Sequence, residues 1–347
     1  MEGQSNELQA EAIGEASEQQ VSLRSGSLRA PMNRTLELTP ADRIRLRSRL
    51  ICQMPSIPFS EPPQGTVQGN CLQWAAYLPR GFVDLLILDP PYNLNKAFNG
   101  QKFFRQTVEE YTSWLDGVVS TLLPLLKQSA SIYICGDWFS STSIFMVAST
   151  YFTVRNRITW EREKGRGAHS NWKNANEDIW FCTVSDDYTF NVDAVKLRRR
   201  VVAPYRTAAG TPKDWQQTQN GNFRDTFPSN LWTDITVPFW SMTENTNHPT
   251  QKSEKLVAKL ILASTKAGEM VFDPFLGSGT SAVVAKKLGR RYLGIELDEE
   301  YCLLTEKRLE TAESDKEIQG YTDGVFWERN TLAAQKMGNR LGATGEG

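Results

Sequence analysis

Histidine is nearly missing from this chain of 347 residues: His169 and His248 are the two it has. A histidine-based metal hydrolase and a Ser/His/Asp relay therefore lack raw material. The five cysteines, Cys52, Cys71, Cys135, Cys182 and Cys302, are scattered and form no CxxC pair. That pattern excludes a zinc ribbon or a disulfide frame and reads as reduced core thiols. No apolar run reaches the length of a membrane helix, and the acidic, Gln/Ser-rich start has no apolar signal region, so a cytoplasmic protein away from the membrane is the expectation. Net charge is also lacking: the formal value of -1 gives no global sign of a polyanionic partner, and any nucleic-acid reading must rest on local charge.

What is present is a soluble, foldable composition, 40% apolar and 23% charged. Residues 1–35 are polar and aperiodic, and a disordered leader is expected there. Thr39, Pro40 and Asp42 open a short helix bearing Arg43, Arg45, Arg47 and Arg49, either a solvated face or a phosphate contact. From about 66 to 183, apolar runs such as "VDLLIL", "SIYIC", "VRNRITW" and "DIWFCTV" alternate with helical stretches near 107–127 and 139–150. Continuous apolar strands between helices imply a mainly parallel α/β sheet covered on both faces. Residues 185–245 break the rhythm and read as an insertion. Beyond them the sequence predicts a helix from near Thr250 to near Gly268, a strand "MVFD", a turn and helix, a strand "RYLGIE" and a last helix to about Thr311. One domain over 36–313 follows, with a partly flexible tail at 314–347.

The turn "DPFLGSGT" joins a strand to a helix, and Gly277, Gly279 and Ala282 satisfy a GxGxxA spacing. Glu296 lies 19 residues beyond Gly277, at the end of the next strand. Such glycines let backbone approach a ligand, and such an acid accepts the hydroxyls of a ribose, so the unit predicts a nucleoside-containing cofactor. A plain βα turn is the simpler alternative for the glycines alone. NAD(P) and S-adenosylmethionine both fit the ribose acid, and the turn does not choose between them.

A second strand ends in "LLILDPPYN". Pro90 and Pro91 remove two N–H donors and keep their carbonyls, so Asp89 and its neighbours form an acceptor-rich surface suited to an amino group. Tyr92 adds a flat face for a heterocycle. By itself "DPP" reads as a strand-ending turn. Ligands in open α/β sheets sit at the carboxyl ends of strands, however, and both "LILD" and "MVFD" end there.

"DPPY" at 89–92, "HPTQK" at 248–252 and "DPFLGSGT" at 273–280, in that order, resemble the beta-class exocyclic-amino DNA methyltransferases over about residues 66–311. The resemblance implies a Rossmann-like, S-adenosylmethionine-dependent methyltransferase sheet with permuted motif order and a target-recognition region at 185–245. It places the reaction at Asp89, Pro90, Pro91 and Tyr92. It puts the cofactor at Asp273, Pro274, Phe275, Gly277, Ser278, Gly279 and Thr280, with Glu296 on the ribose and Thr250 and Lys252 near the methionine end. Double-stranded DNA is the implied partner, through base flipping; a homodimer and a companion restriction endonuclease belong to the same expectation. "DPPY" favours adenine N6 over cytosine N4. One departure stands out: relatives often carry Gly-Asp before the catalytic strand, whereas here Asn70 and Cys71 follow Gly69.

Local charge agrees with a DNA partner. Residues 155–213 hold twelve Lys/Arg against seven Asp/Glu, net +5, and "KLRRR" (Lys196, Arg198, Arg199, Arg200) with Trp172, Trp215 and Trp232 suits phosphates and a base gap. Alone, "KLRRR" is an ordinary solvated charge run. No Pro-Cys motif is present for attack on a cytosine ring, and no metal is expected. The rival readings are a nicotinamide oxidoreductase, a silent DNA-binding module and amine methylation of RNA or protein.

Overall fold

The computed structural model describes residues 30–94, 96–98, 101–103, 105–162, 169–201, 205–218 and 221–329. The leader expected at 1–35 thus lies mostly outside the described residues. In chain order the strands are β1 (Gly65–Gln68), β2 (Val83–Leu88), β3 (Lys96–Phe98), β4 (Gln101–Phe103), β5 (Leu126–Gly136), β6 (Thr153–Glu161), β7 (Asn176–Thr183), β8 (Leu197–Arg200), β9 (Gln216–Thr218), β10 (Gly221–Thr226), β11 (Leu231–Trp232), β12 (Met270–Asp273), β13 (Arg291–Glu296), β14 (Tyr321–Thr322) and β15 (Val325–Trp327). The helices are α1 (Pro40–Arg47), α2 (Cys71–Ala75), α3 (Val108–Leu122), α4 (Ser141–Tyr151), α5 (Glu254–Ser264), α6 (Thr280–Lys287) and α7 (Glu299–Ser314).

The main sheet runs β1-β13-β12-β2-β5-β7-β6-β11. Its first five strands are parallel, as the apolar runs predict; β7 is antiparallel to both β5 and β6. β2 shows why its sequence is continuously apolar. Leu86 and Leu88 enter the core shared with α2, α3 and α4, and Leu85 and Ile87 enter the opposite core with α5 and α6. Both faces are covered, so alternation has no polar side to reveal.

Local signals set several boundaries. Thr39 and Asp42 form a reciprocal capping box on α1, and Thr107 and Glu110 form another on α3. The long helix expected to 127 stops at Leu122 because Pro124 sits in a short 3-10 turn, after which β5 begins. α5 begins at Glu254, later than expected, with Thr250 in a turn, 251–252 irregular and Ser253 the extended N-cap.

The region at 185–245 is more ordered than its composition suggests. β8, β9 and β10 form a second sheet with β14 and β15, while β11 returns to pair with β6 of the main sheet. The tail expected at 314–347 contributes β14 and β15, with Phe326 opposite Leu197 and Trp327 opposite Arg198. Residues beyond 329 lie outside the described residues.

Candidate active site

β2 and β12 are neighbouring parallel strands, with Leu86 opposite Phe272, so the segments that follow them emerge side by side. Their two sequence motifs share one cavity of about 350 Å³. Asp89, Pro90, Pro91 and Tyr92 line it together with Thr250, Lys252, Asp273, Pro274, Phe275, Gly277, Ser278, Thr280 and Glu296. Gly279 is the N-cap of α6 behind the wall, at φ 81°. Trp114, Leu297, Asp298 and Tyr301, which sequence reasoning did not single out, are also among the lining residues.

The glycine turn is held from three sides. The Gly277 N–H donates to Glu296 Oε2 at 2.8 Å, and the Asp298 N–H donates to Glu296 Oε1 at 2.9 Å. Arg308 of α7 donates to the Ser278 carbonyl at 2.8 Å and the Thr280 hydroxyl at 3.0 Å, and is itself held by Glu254 at 3.1 Å. Thr280 donates to the Lys252 carbonyl at 3.1 Å, which ties the turn to the segment before α5. A φ of 54° favours glycine at 277, and a Cβ there would stand 3.0 Å from His248 Nε2, a tight contact that the imidazole would have to ease. His248 is a wall residue packed edge-on against Tyr301.

Burial pushes the Asp273 carboxyl up to about 7, although the Ser281 hydroxyl at 2.5 Å and the Phe275 N–H at 3.0 Å oppose the shift. Burial also raises Glu296, against its two N–H partners. Four carboxylates face the cavity (Asp89, Asp273, Glu296, Asp298), and among the described lining residues Lys252 is the one lysine or arginine. Such a wall repels a pyrophosphate and suits a ligand bearing positive charge. The Gly277 N–H, which a dinucleotide phosphate would need, is already spent on Glu296.

At the other end, Asp89 is not satisfied by the backbone N–H groups that a plain turn would supply. Lys252 Nζ donates to its Oδ1 and Oδ2 at 2.9 and 2.7 Å, and Tyr92 Oη donates to Oδ1 at 2.9 Å. Lys252 thus sits on the acceptor carboxylate, where the resemblance implies a place near the methionine end of the cofactor. Burial alone would lower the Lys252 ammonium, but Asp89 and Glu177 reverse this and hold it above the ordinary lysine range. Tyr92 is raised by burial and by the same two carboxylates.

The Asp89–Tyr92 turn is braced. Tyr111 Oη donates to the Pro91 carbonyl at 3.1 Å; the Asn93 side chain both donates to and accepts from the backbone of Gln106, at 3.0 and 2.7 Å; and the Asn93 N–H donates to Ser140 Oγ at 3.2 Å. Asn70, where relatives often have an acid, lines the cavity while its side-chain oxygen caps α2 by accepting from Leu72 at 2.9 Å.

Glu177 escaped the sequence reading. It is the second residue of β7, and because that strand is reversed, its first residues lie beside the carboxyl ends of β5 and β2. Glu177 is 3% exposed, forms an ion pair with Arg162, and lies 3.4 Å from Lys252 Nζ and 3.3 Å from Tyr92 Oη.

The basic residues are partly engaged within the protein. Arg198 makes a two-point pair with Asp225 at 2.8 Å, Lys196 pairs with Asp193 at 2.7 Å, and Arg43, Arg45, Arg47 and Arg49 pair with Glu300, Glu310, Glu299 and Glu310 of α7. Arg199 is half-buried and Arg200 is exposed. Trp215 and Trp232 are buried, their indole N–H groups donating to the Tyr205 and Ser229 carbonyls, and so are not free to wedge a base gap as expected; Trp172 is 92% exposed.

Known proteins resemble this chain in sequence and fold. A family model described as DNA methylase matches residues 83–307. The chain is 32% identical over 263 residues to a protein of Escherichia coli K12 named DNA adenine methyltransferase YhdJ, covering 73% of this chain and 85% of that one. It is 30% identical over 258 residues to the Type II methyltransferase M.BglII of Bacillus subtilis, covering 71% and 69%. Among solved structures, the cytosine-N4-specific PvuII DNA methyltransferase has the same fold, with a TM-score of 0.55 at 16% identity over 74% of this chain and 90% of that one. A match across two motif-bearing strand ends and the span between them, backed by a relative at this identity, makes the chain a member of the DNA methylase family, the exocyclic-amino methyltransferases that take their methyl group from S-adenosylmethionine.

Proposed function

We propose that the protein methylates the exocyclic N6 amine of adenine in duplex DNA, at a specific sequence, with the target base flipped into the cavity beside Asp89. The observation that carries this reading is the sharing of one cavity by the Asp89–Tyr92 turn and the Gly277–Glu296 unit. The name of the E. coli relative, an adenine methyltransferase, supports adenine over cytosine. The Type II name of M.BglII supports a companion restriction endonuclease.

The wall fits S-adenosylmethionine. Glu296 keeps lone pairs for two ribose hydroxyls beyond those taken by Gly277 and Asp298, Phe275 and Leu297 offer apolar surface to a purine, and the surrounding carboxylates match its positive charges. When bound, it supplies an electrophilic methyl group. Asp89 and the Pro90 carbonyl each accept one N–H of the target amine, which draws its lone pair out of conjugation with the ring and toward an attacking geometry. An ionised acceptor makes the stronger of those two bonds. Tyr92 gives the base a face and, through its hydroxyl, fixes the Asp89 carboxylate. Flipping costs a few kcal/mol of stacking and pairing, which contacts to phosphates offset.

Incubation of the protein with mixed-sequence duplex DNA and the methyl donor, followed by digestion to nucleosides and mass analysis, should reveal N6-methyladenine. N4-methylcytosine in its place would reassign the target, and no methylated nucleoside at all would remove the reading.

A further inference from the structure

We propose that Glu177 is a positioning residue for transfer: it receives the Lys252 ammonium when an exocyclic amine takes that ammonium's place on Asp89. The inference rests on the reading of Asp89 as the amine acceptor. In the structure both Asp89 oxygens are engaged by Lys252, at 2.7 and 2.9 Å, and Oδ1 also accepts from Tyr92. An incoming amine needs one of those oxygens. It also needs the carboxylate's negative charge undiminished, because an ammonium resting on the acceptor weakens its pull on the amine hydrogens.

Lys252 is 9% exposed, and an ammonium so enclosed that loses its carboxylate without gaining another stays buried and uncompensated, at a large cost. Glu177 supplies the alternative. Its Oε2 is 3.4 Å from Lys252 Nζ, so a shift of roughly 0.5 Å makes an ordinary charge-assisted bond. Its other oxygen, Oε1, is held by Arg162, which stops the carboxylate from turning away. Tyr92 Oη, 2.9 Å from Asp89 Oδ1 and 3.3 Å from Glu177 Oε2, can follow the same exchange. The four charges Asp89, Glu177, Lys252 and Arg162 balance before and after, so the move changes which carboxylate is free without changing the net charge of the wall.

Glu177→Gln is close in shape and keeps an oxygen for Tyr92. We expect donor affinity to stay within about threefold of the unaltered protein, while single-turnover transfer at saturating DNA and donor falls about tenfold or more. In a Lys252→Met background, the same Glu177→Gln change should cost nothing, since no ammonium remains to be rehoused. Base extrusion offers a second readout that needs no donor: fluorescence of a 2-aminopurine placed beside the target adenine should drop in Glu177→Gln and not drop further when Glu177→Gln is added to Lys252→Met. Equal losses from Glu177→Gln in both backgrounds would mean a merely structural role and overturn the proposal, as would no loss in either. If the unaltered protein methylates adenine and Glu177→Gln behaves like it, this inference alone falls. If the unaltered protein methylates no base, the reading of Asp89 falls with it.

Discussion

Glu296 takes one backbone N–H from each side, from Gly277 at 2.8 Å and from Asp298 at 2.9 Å, and so joins the glycine turn to the start of α7 across the cavity floor. Its side chain orders two loops at once. Glu296→Ala should weaken binding of S-adenosylmethionine at least about 100-fold, since two hydrogen bonds to a carboxylate are worth about 1.5–3 kcal/mol each. Calorimetric titration measures the change, and an unaltered affinity would place the ribose elsewhere.

Asp89→Ala should abolish transfer and leave donor affinity within a few-fold. The fold should survive, because Lys252 retains Glu177 as a carboxylate partner. Loss of donor binding together with transfer would mean that the two ends of the cavity have been exchanged.

The pH response follows from Asp273. Its folded value of about 7 stands above the ordinary 3.8, so the folded, donor-free protein binds more protons there than the unfolded chain does between those values. The stability this group contributes is greatest at low pH and is lost as pH rises toward 7. A cationic ligand reverses the preference and favours the ionised form, so donor affinity should increase as pH rises through about 7. Asp273→Asn should flatten that increase; calorimetry at pH 6 and 8 compares the two proteins.

Gly279 caps α6 at φ 81°, and a Cβ there would run into the side chain of Thr305, which is fully buried and cannot swing away. Gly279→Ala should cost about 1–3 kcal/mol from backbone strain, with the clash added. Thermal unfolding reads the loss, and a variant as stable as the parent would show that α7 can shift to make room.

DNA affinity should fall steeply with salt. Arg200 is exposed whereas Arg198 is bound to Asp225, so Arg200→Ala should reduce the slope of log affinity against log salt by about 1, and Arg198→Ala by less. Equal effects would show that the Asp225 pair opens on DNA.

How much of this was legible in the sequence depends on how local each signal is. The apolar runs before Asp89 and Asp273 mark two strand ends, and the spacing from Gly277 to Glu296 marks a third, because strand, turn and strand are contiguous in the chain. Their meeting in one cavity follows from parallel topology. Glu177 was hidden for a topological reason: it lies at the start of a strand, and only the reversal of β7 carries a strand start to the edge where the others finish. Lys252 was placed by its motif but not by its contact, since the ion pair with Asp89 spans the chain. The second sheet was illegible because three of its strands are short and polar and the other two come from what reads as a tail.

That last pairing has a temporal side. β15 lies parallel to β8, so the sheet built from the inserted region closes only after residues 325–327 have left the ribosome, when the catalytic sheet is already complete. The second sheet is therefore completed after the main sheet, whose last strand in the chain, β13, ends at Glu296. A chain cut before residue 325 would keep every strand of the main sheet and leave β8 without its parallel neighbour.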